Sequence, residues 1–265
     1  MTGNLSLERG LSVLKVLTQA QEALGVRELS RRLDLSAPAV QRILNTLADH
    51  GYVEQELASR RYRLGCSLLS LAQHMLREDR LICASQAELD ALAAEGCFNG
   101  FLGIRRSDQG IYLLAVQSKS PVVIRSSAGE TFPLHSTALG KALLLGMSRE
   151  EVVEVLGEGP FERLTPRTVT DVGKLIAQIQ ASQAIGYTTS LDENFFGLIA
   201  VGAPIREARG TISAAISVAY PKSVGPQVEI AQIGERVMAA AGRISFSLGY
   251  RETTEPHGED PRNAA

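Results

Sequence analysis

The chain has 265 residues, 45% hydrophobic and 21% charged, with a formal net charge of −2. That length suits two domains, and the balance is that of a globular protein rather than a disordered one. No apolar run reaches the ~20 residues of a membrane span, and the start MTGNLSLERG lacks a secretory apolar core, so a cytoplasmic protein without membrane contact is expected.

Residues 1–66 read as three helices and a hairpin. Ser6 is placed to cap a first helix, whose Leu7, Leu11, Leu14 and Leu17 recur at helical spacing. A short second helix carries Val26, Leu29 and Leu33 inward and Arg27, Arg31 and Arg32 on other faces. The turn Asp34-Leu35-Ser36 follows, with Ser36 as N-cap and Pro38 in the first turn of a third helix that runs to about His50. Gly51 is positioned to end that helix in the left-handed conformation. Tyr52-Val53 and Tyr62-Arg63-Leu64 are short strands around a polar turn at Ala58-Ser59-Arg60, the form of a wing.

A connector helix is expected over 67–80, with an apolar stripe of Leu68, Ala72, Met75 and Leu76 that seals either a dimer or a single subunit. The second domain is assigned to 81–250. It starts with a helix near 81–94, then strands at Gly100–Arg105, Ile111–Gln117 and Val122–Ser127. Helices follow near Thr137–Leu145, Arg149–Leu156 and Val172–Ala184, strands at Leu198–Ile205 and Thr211–Ala219, and a final helix over Pro226–Leu248. Strands, then helices, then strands indicate an α+β domain with an antiparallel sheet. The polar tail, 251–265, is expected to be disordered.

A helix-turn-helix binds DNA because its second helix fits the major groove and offers side chains to base edges. Residues 1–66 carry nine basic and seven acidic side chains, with Arg60, Arg61 and Arg63 inside four positions of the wing. The helix starting at Ser36 is the reading candidate. Gln41 suits adenine, Arg42 suits guanine, Asn45 lies on the same outward side, and Pro38 and Ala39 offer apolar contact with a thymine methyl. Ser36, Thr46, Arg27 and the wing arginines suit phosphates. The alternative is a winged helix used for protein contacts, favoured by the alanine- and proline-rich start of the third helix.

SLERGLSVLKVL, ILNTLADHGYVEQELASRRYRLG, PLHSTALGKALL, LTPRTVTD, GLIAVGAPI and AAISVAYP together resemble the IclR family of bacterial regulators, over roughly residues 5–248. The resemblance implies a GAF-like effector-binding domain behind a winged helix-turn-helix, and homodimers or dimers of dimers on double-stranded operator DNA. It also implies a small organic-acid or aromatic effector and control of catabolic genes. Two departures stand out. Ala37-Pro38-Ala39 replaces the usual Lys-Ser-Thr, leaving more of the discrimination to Gln41, Arg42 and Asn45. Asn194-Phe195-Phe196 replaces a stretch that is often acidic.

By the same resemblance the first amides of the helix after Thr137, those of Ala138 and Leu139, face the effector. Ala200, Ser217 and Ala219 occupy pocket positions, of which only Ser217 keeps a hydroxyl; Asp192 and Phe195 complete the candidate set. This composition favours an aromatic or otherwise larger carboxylate. Thr137 is also readable as a plain helix cap, Phe195 and Phe196 as core, His135 as a local hydrogen-bonding group and Lys141 as a solvated cation. Nothing assembles a nucleophile, base and oxyanion site, and no GxSxG, HExxH, P-loop or GxGxxG pattern occurs, so no enzyme, cofactor or metal is expected. Cys66, Cys83 and Cys97 lack disulfide or CxxC spacing and are read as reduced, partly buried thiols.

Overall fold

The computed structural model describes residues 4–95, 98–118, 124–226 and 228–251. The chain divides into two compact units, residues 1–78 and 79–265. Residues 252–265 of the expected tail and Cys97 lie outside the described residues, as do the side chains of Met75 and Leu76.

The first unit contains α1 (Leu5–Gln19), α2 (Val26–Leu33), α3 (Ala37–Asp49), β1 (Val53–Gln55), β2 (Tyr62–Leu64) and α4 (Ser67–Glu78). Its core is Val13, Leu17, Leu24, Leu29, Val40, Leu44, Val53 and Tyr62. Two details of α1 differ from the sequence reading. Asn4, not Ser6, is the N-cap, and its side chain accepts from the Ser6 and Leu7 amides. Because Val13 and Leu17 face the core, Leu7 and Leu11 are left 61% and 50% exposed, bordering an open apolar groove with Ile43 and Leu47 of α3 and Leu68 and Leu71 of α4.

Asp34 ends α2 in the left-handed region at φ 52°, and the Ser30 hydroxyl donates to the Leu35 carbonyl across the turn. Ser36 occupies the N-cap position of α3 with extended backbone, but its side chain makes no capping bond. Gly51 follows α3 at φ 72°, which favours glycine; its amide donates to Ala48 and that of Tyr52 to Leu47. β1 and β2 pair antiparallel with Val53 opposite Leu64, and Tyr62 also bridges to Leu24, so the wing is fastened to the α1–α2 connection.

The second unit opens with α5 (Arg80–Glu95) and builds a six-stranded antiparallel sheet from β3 (Asn99–Arg106), β4 (Gln109–Val116), β5 (Thr131–Pro133), β6 (Thr188–Leu191), β7 (Leu198–Arg206) and β8 (Ile212–Pro221). The strand order is β5-β4-β3-β8-β7-β6. α6 (Ala138–Leu143), α7 (Arg149–Leu156), α8 (Val172–Ile185) and α9 (Ile230–Ser247) complete it. Alternation along the strands separates two cores. Ala214, Ile216, Val218 and Tyr220 of β8 pack with α5 and α9, while Ala215 and Ala219 pack with α6, α7 and α8.

Thus the expected α+β class with an antiparallel sheet is found. The expected strand at 122–127 is not: its first two residues lie outside the described ones, and 124–127 form no strand. β5 and β6 were not expected. β6 escapes the hydrophobic pattern because its inward residues are Thr188 and Ser190, buried with hydroxyls donating to the carbonyls of Ala138 and Ser136. Cys66 and Cys83 are exposed rather than partly buried, on the outer sides of the segments that carry them. Among the described residues, no helix is long and apolar enough to cross a membrane, and no group of three His, Cys, Asp or Glu could hold a metal ion.

Candidate functional site

Two sites emerge, one in each unit. In the first, Val40 and Leu44 fix the inward face of α3, which turns Pro38, Arg42, Asn45 and Thr46 outward, all exposed. Ala39 is half-buried and borders the apolar groove. The Thr46 hydroxyl donates to the Arg42 carbonyl at 3.1 Å. Gln41 is half-buried, and its Nε2 donates to Asn45 Oδ1 at 2.8 Å and to Tyr62 Oη at 2.9 Å.

The arginines sort by partner. Arg31 and Arg32 both meet Glu28, and these guanidiniums lower its carboxyl pKa. Arg63 reaches Glu54 across the wing at 3.2 Å, and Arg61 lies 3.4 Å from the Ala23 carbonyl and 3.9 Å from Glu22. Arg27, Arg42 and Arg60 are exposed and make no ion pair among the described residues. Arg60 sits at the wing turn with φ 57°.

In the second unit a cavity of ≈ 370 Å³ opens between the sheet and α6, a volume within the roughly 300–1,000 Å³ of small-molecule sites. Phe101, Tyr112 and Phe132 form one wall, with ring centroids 5.4 and 4.5 Å apart. Ile124, Leu139, Leu164, Leu198, Ala200 and Ala219 add apolar surface. Thr137, Ser190, Ser217 and Asn194 supply polar atoms, and Arg125 and Glu130 are the charged side chains of the lining. Burial pushes the Tyr112 phenol pKa upward, so the ring stays neutral.

Of the eight residues expected at the effector site, Thr137, Ala138, Leu139, Phe195, Ala200, Ser217 and Ala219 line this cavity. Thr137 is also a helix cap: its hydroxyl accepts from the Gly140 amide and donates to the Pro133 carbonyl. The close approach of α6 to the sheet depends on Gly202 of β7, where a Cβ would sit 2.8 Å from the Ala138 carbonyl oxygen. Neither phenylalanine of 195–196 is core; they are 61% and 81% exposed, and Phe195 contributes to the lining.

Asp192 does not line the cavity. Its carboxylate accepts from the Gly197 amide and from Lys222, with Arg167 3.7 Å away, so it closes the 192–197 turn; the Lys222 hydrogen bond holds its pKa below the usual range. Nor is Lys141 solvated. It is buried against Glu193 at 2.8 Å, and desolvation lowers its pKa against the opposing pull of that carboxylate. The Thr165 and Thr168 hydroxyls donate to the Asp192 and Glu193 carbonyls, so the LTPRT segment clamps the same turn. His135 makes the local bond expected of it, to the Glu162 carbonyl at 3.0 Å, and stacks on Phe161. The sequence signal for this clamp was the threonine pair at i and i+3; the Glu193 partnership, 52 residues from Lys141, had none.

A winged helix-turn-helix joined to a sheet domain with an internal cavity defines the chain as a DNA-binding regulator of the ligand-responsive architecture. The comparisons give the family. Residues 6–57 match the IclR helix-turn-helix domain, and residues 73–246 match the Bacterial transcriptional regulator IclR C-terminal domain. The chain belongs to the IclR family. It is 30% identical to the HTH-type transcriptional regulator KdgR of Dickeya chrysanthemi over 93% of this chain and 81% of that protein. An IclR-type regulator from Alicyclobacillus acidocaldarius superposes with a TM-score of 0.83 at 26% identity, covering 94% of this chain and 100% of the other. An IclR homologue from Microbacterium hydrocarbonoxydans, crystallised with 4-hydroxybenzoate, shares the fold with a TM-score of 0.80 at 23% identity, over 92% and 98% of the two chains.

Proposed function

We propose that the protein is an effector-responsive transcriptional regulator of a catabolic operon, acting in the cytoplasm on double-stranded operator DNA and sensing a small aromatic carboxylate. The observation that carries the ligand class is the cavity itself. Three aromatic rings on one wall match a flat apolar body, and Thr137, Ser190 and Ser217 supply the few placed polar groups such sites use. Ala138 and Leu139 open α6 with amides that meet no carbonyl among the described residues, and Arg125 stands in the lining beside Glu130, so an acid group finds amide donors and a guanidinium among the described residues. Asp192 contributes by shaping the 192–197 turn rather than by contact.

On DNA, Arg42, Asn45 and Pro38 of α3 face the major groove, while Arg27, Ser36, Thr46 and the wing side chains Arg60, Arg61 and Arg63 lie toward phosphates. A pseudo-palindromic operator would be read by a homodimer or a dimer of dimers, which sedimentation of the full chain measures. A thermal-shift panel tests the ligand class. Benzoate-type acids are expected to raise the unfolding temperature; stabilisation only by two- and three-carbon acids would reject the reading.

A further inference from the structure

Three polar side chains from two elements of the first unit are joined through Gln41. Gln41 Nε2 on α3 donates both to Tyr62 Oη on β2 and to Asn45 Oδ1 one turn along, at 2.9 and 2.8 Å. Tyr62 is itself fixed. It is 3% exposed, and its backbone exchanges hydrogen bonds with Leu24 at 2.8 and 2.9 Å. A glutamine recognises adenine through both halves of its amide, the nitrogen donating to N7 and the oxygen accepting from N6. An amide nitrogen has two hydrogens, and here both are committed within the protein. The conclusion does not depend on which amide atom faces Tyr62. With oxygen and nitrogen exchanged, the oxygen's two lone pairs are the ones occupied, by the Tyr62 hydroxyl and the Asn45 amide. Either way one half of the Gln41 amide is withdrawn, and Asn45 has committed one of its own hydrogen-bonding positions.

We infer that Gln41 is a positioning residue and not a base reader: it ties the reading helix to the wing through Tyr62 and holds Asn45 in place. Arg42 is then the one outward side chain of α3 that keeps an uncommitted two-pronged donor set, the set that fits guanine O6 and N7. This deepens the proposed DNA reading and rests on α3 being the helix that enters the groove.

The test is enrichment of duplexes from a randomised library by the full-length protein, its Gln41→Met, Tyr62→Phe and Arg42→Ala variants, with thermal unfolding as the control for folding. Gln41→Met is expected to retain every base preference of the parent while binding all sequences about 3- to 10-fold more weakly, the scale of one or two lost hydrogen bonds. Tyr62→Phe keeps the buried ring and touches no DNA, yet frees one hydrogen-bonding position of the Gln41 amide; it is expected to gain a preference for adenine at one base pair, by about fivefold or more. A purely structural tyrosine would not move that profile. The inference is overturned if Gln41→Met erases a preference the parent has, or if Tyr62→Phe enriches the same sequences as the parent. An Arg42→Ala profile identical to the parent's removes α3 from the groove, and the inference with it.

Discussion

Lys141 and Glu193 are both nearly inaccessible, their charges 2.8 Å apart, with Gln178 accepting a further bond from the ammonium at 3.3 Å. A buried pair is weak evidence of net stabilisation, but removing one partner leaves the other charge stranded. Lys141→Met is therefore expected to destabilise the protein by about 3–5 kcal/mol, and adding Glu193→Gln to recover much of that loss; urea denaturation measures both, and a single variant within error of the parent contradicts the account. His135 titrates nearer neutrality. Burial lowers its pKa, opposed by the Glu162 carbonyl, so as the pH falls the unfolded chain takes up the proton first, at about 6.5. Its contribution is therefore fully present above that pH and lost as the pH falls below it. His135→Asn should flatten the dependence of the unfolding temperature there. The Asp192 carboxylate has the same sign, but its window opens only below about 3.9, so the two are separable in one titration. On the DNA side, Arg60→Ala should lower the slope of log affinity against log salt by about one on every sequence. Arg61→Ala should lower it less, since its guanidinium is already engaged with the Ala23 carbonyl and near Glu22.

Elements became legible in the sequence wherever burial followed a local period. Arg149–Leu156 is found with the bounds expected, and Val172–Ile185 within one residue, because Ser148 and Asp171 cap them and Val152, Leu175, Ile176 and Ile179 recur on one face. The outward face of α3 was legible for the same reason: Val40 and Leu44 set the rotation of the helix and hence which side chains point out. Partnerships between elements left no such trace. Leu7 and Leu11 have helical spacing yet face a groove, since a period identifies an apolar face without saying what covers it. Gln41 looks like a base reader until Tyr62, 21 positions away, is placed beside it. Asp192 lies next to the cavity in sequence but is turned away by Lys222 and the Gly197 amide. The contact of α6 with β7 is of this non-local kind, and it is testable at Gly202. A Cβ there meets the Ala138 carbonyl oxygen at 2.8 Å and the Leu139 amide at 3.2 Å, so the first turn of α6 must move. Gly202→Ala is expected to cost about 1–3 kcal/mol and to reduce the temperature shift produced by a stabilising ligand, because the displaced turn lines the cavity. Equal ligand shifts in the two proteins would separate that turn from binding.

At the scale of the whole molecule, the cavity belongs to one unit and α3 to the other, so regulation requires a free energy that couples them. Binding alone does not supply it. A ligand at about 100 times its Kd stabilises whichever unit holds it by about 2.7 kcal/mol, whether or not the other unit responds. Coupling has a separate signature: if the ligand changes operator affinity by some factor, the operator must change ligand affinity by the same factor. The expectation is a factor of about 5 to 150, the usual range for such couplings. It is measured by titrating labelled operator with and without saturating ligand, and ligand with and without saturating operator. Both titrations must be run at one fixed salt concentration, because the phosphate contacts proposed for Arg27, Arg60, Arg61 and Arg63 would otherwise shift operator affinity by a comparable amount. Operator lacking its preferred bases, bound through phosphates alone, tests which conformation the ligand biases. If the ligand alters how α3 reads bases, the factor collapses toward one on such DNA; if it alters the spacing of two winged helices on their half-sites, the factor persists wherever the phosphate spacing is kept. Thermal stabilisation by an aromatic acid combined with a factor of one on the operator itself would leave a ligand-binding protein and remove the regulator.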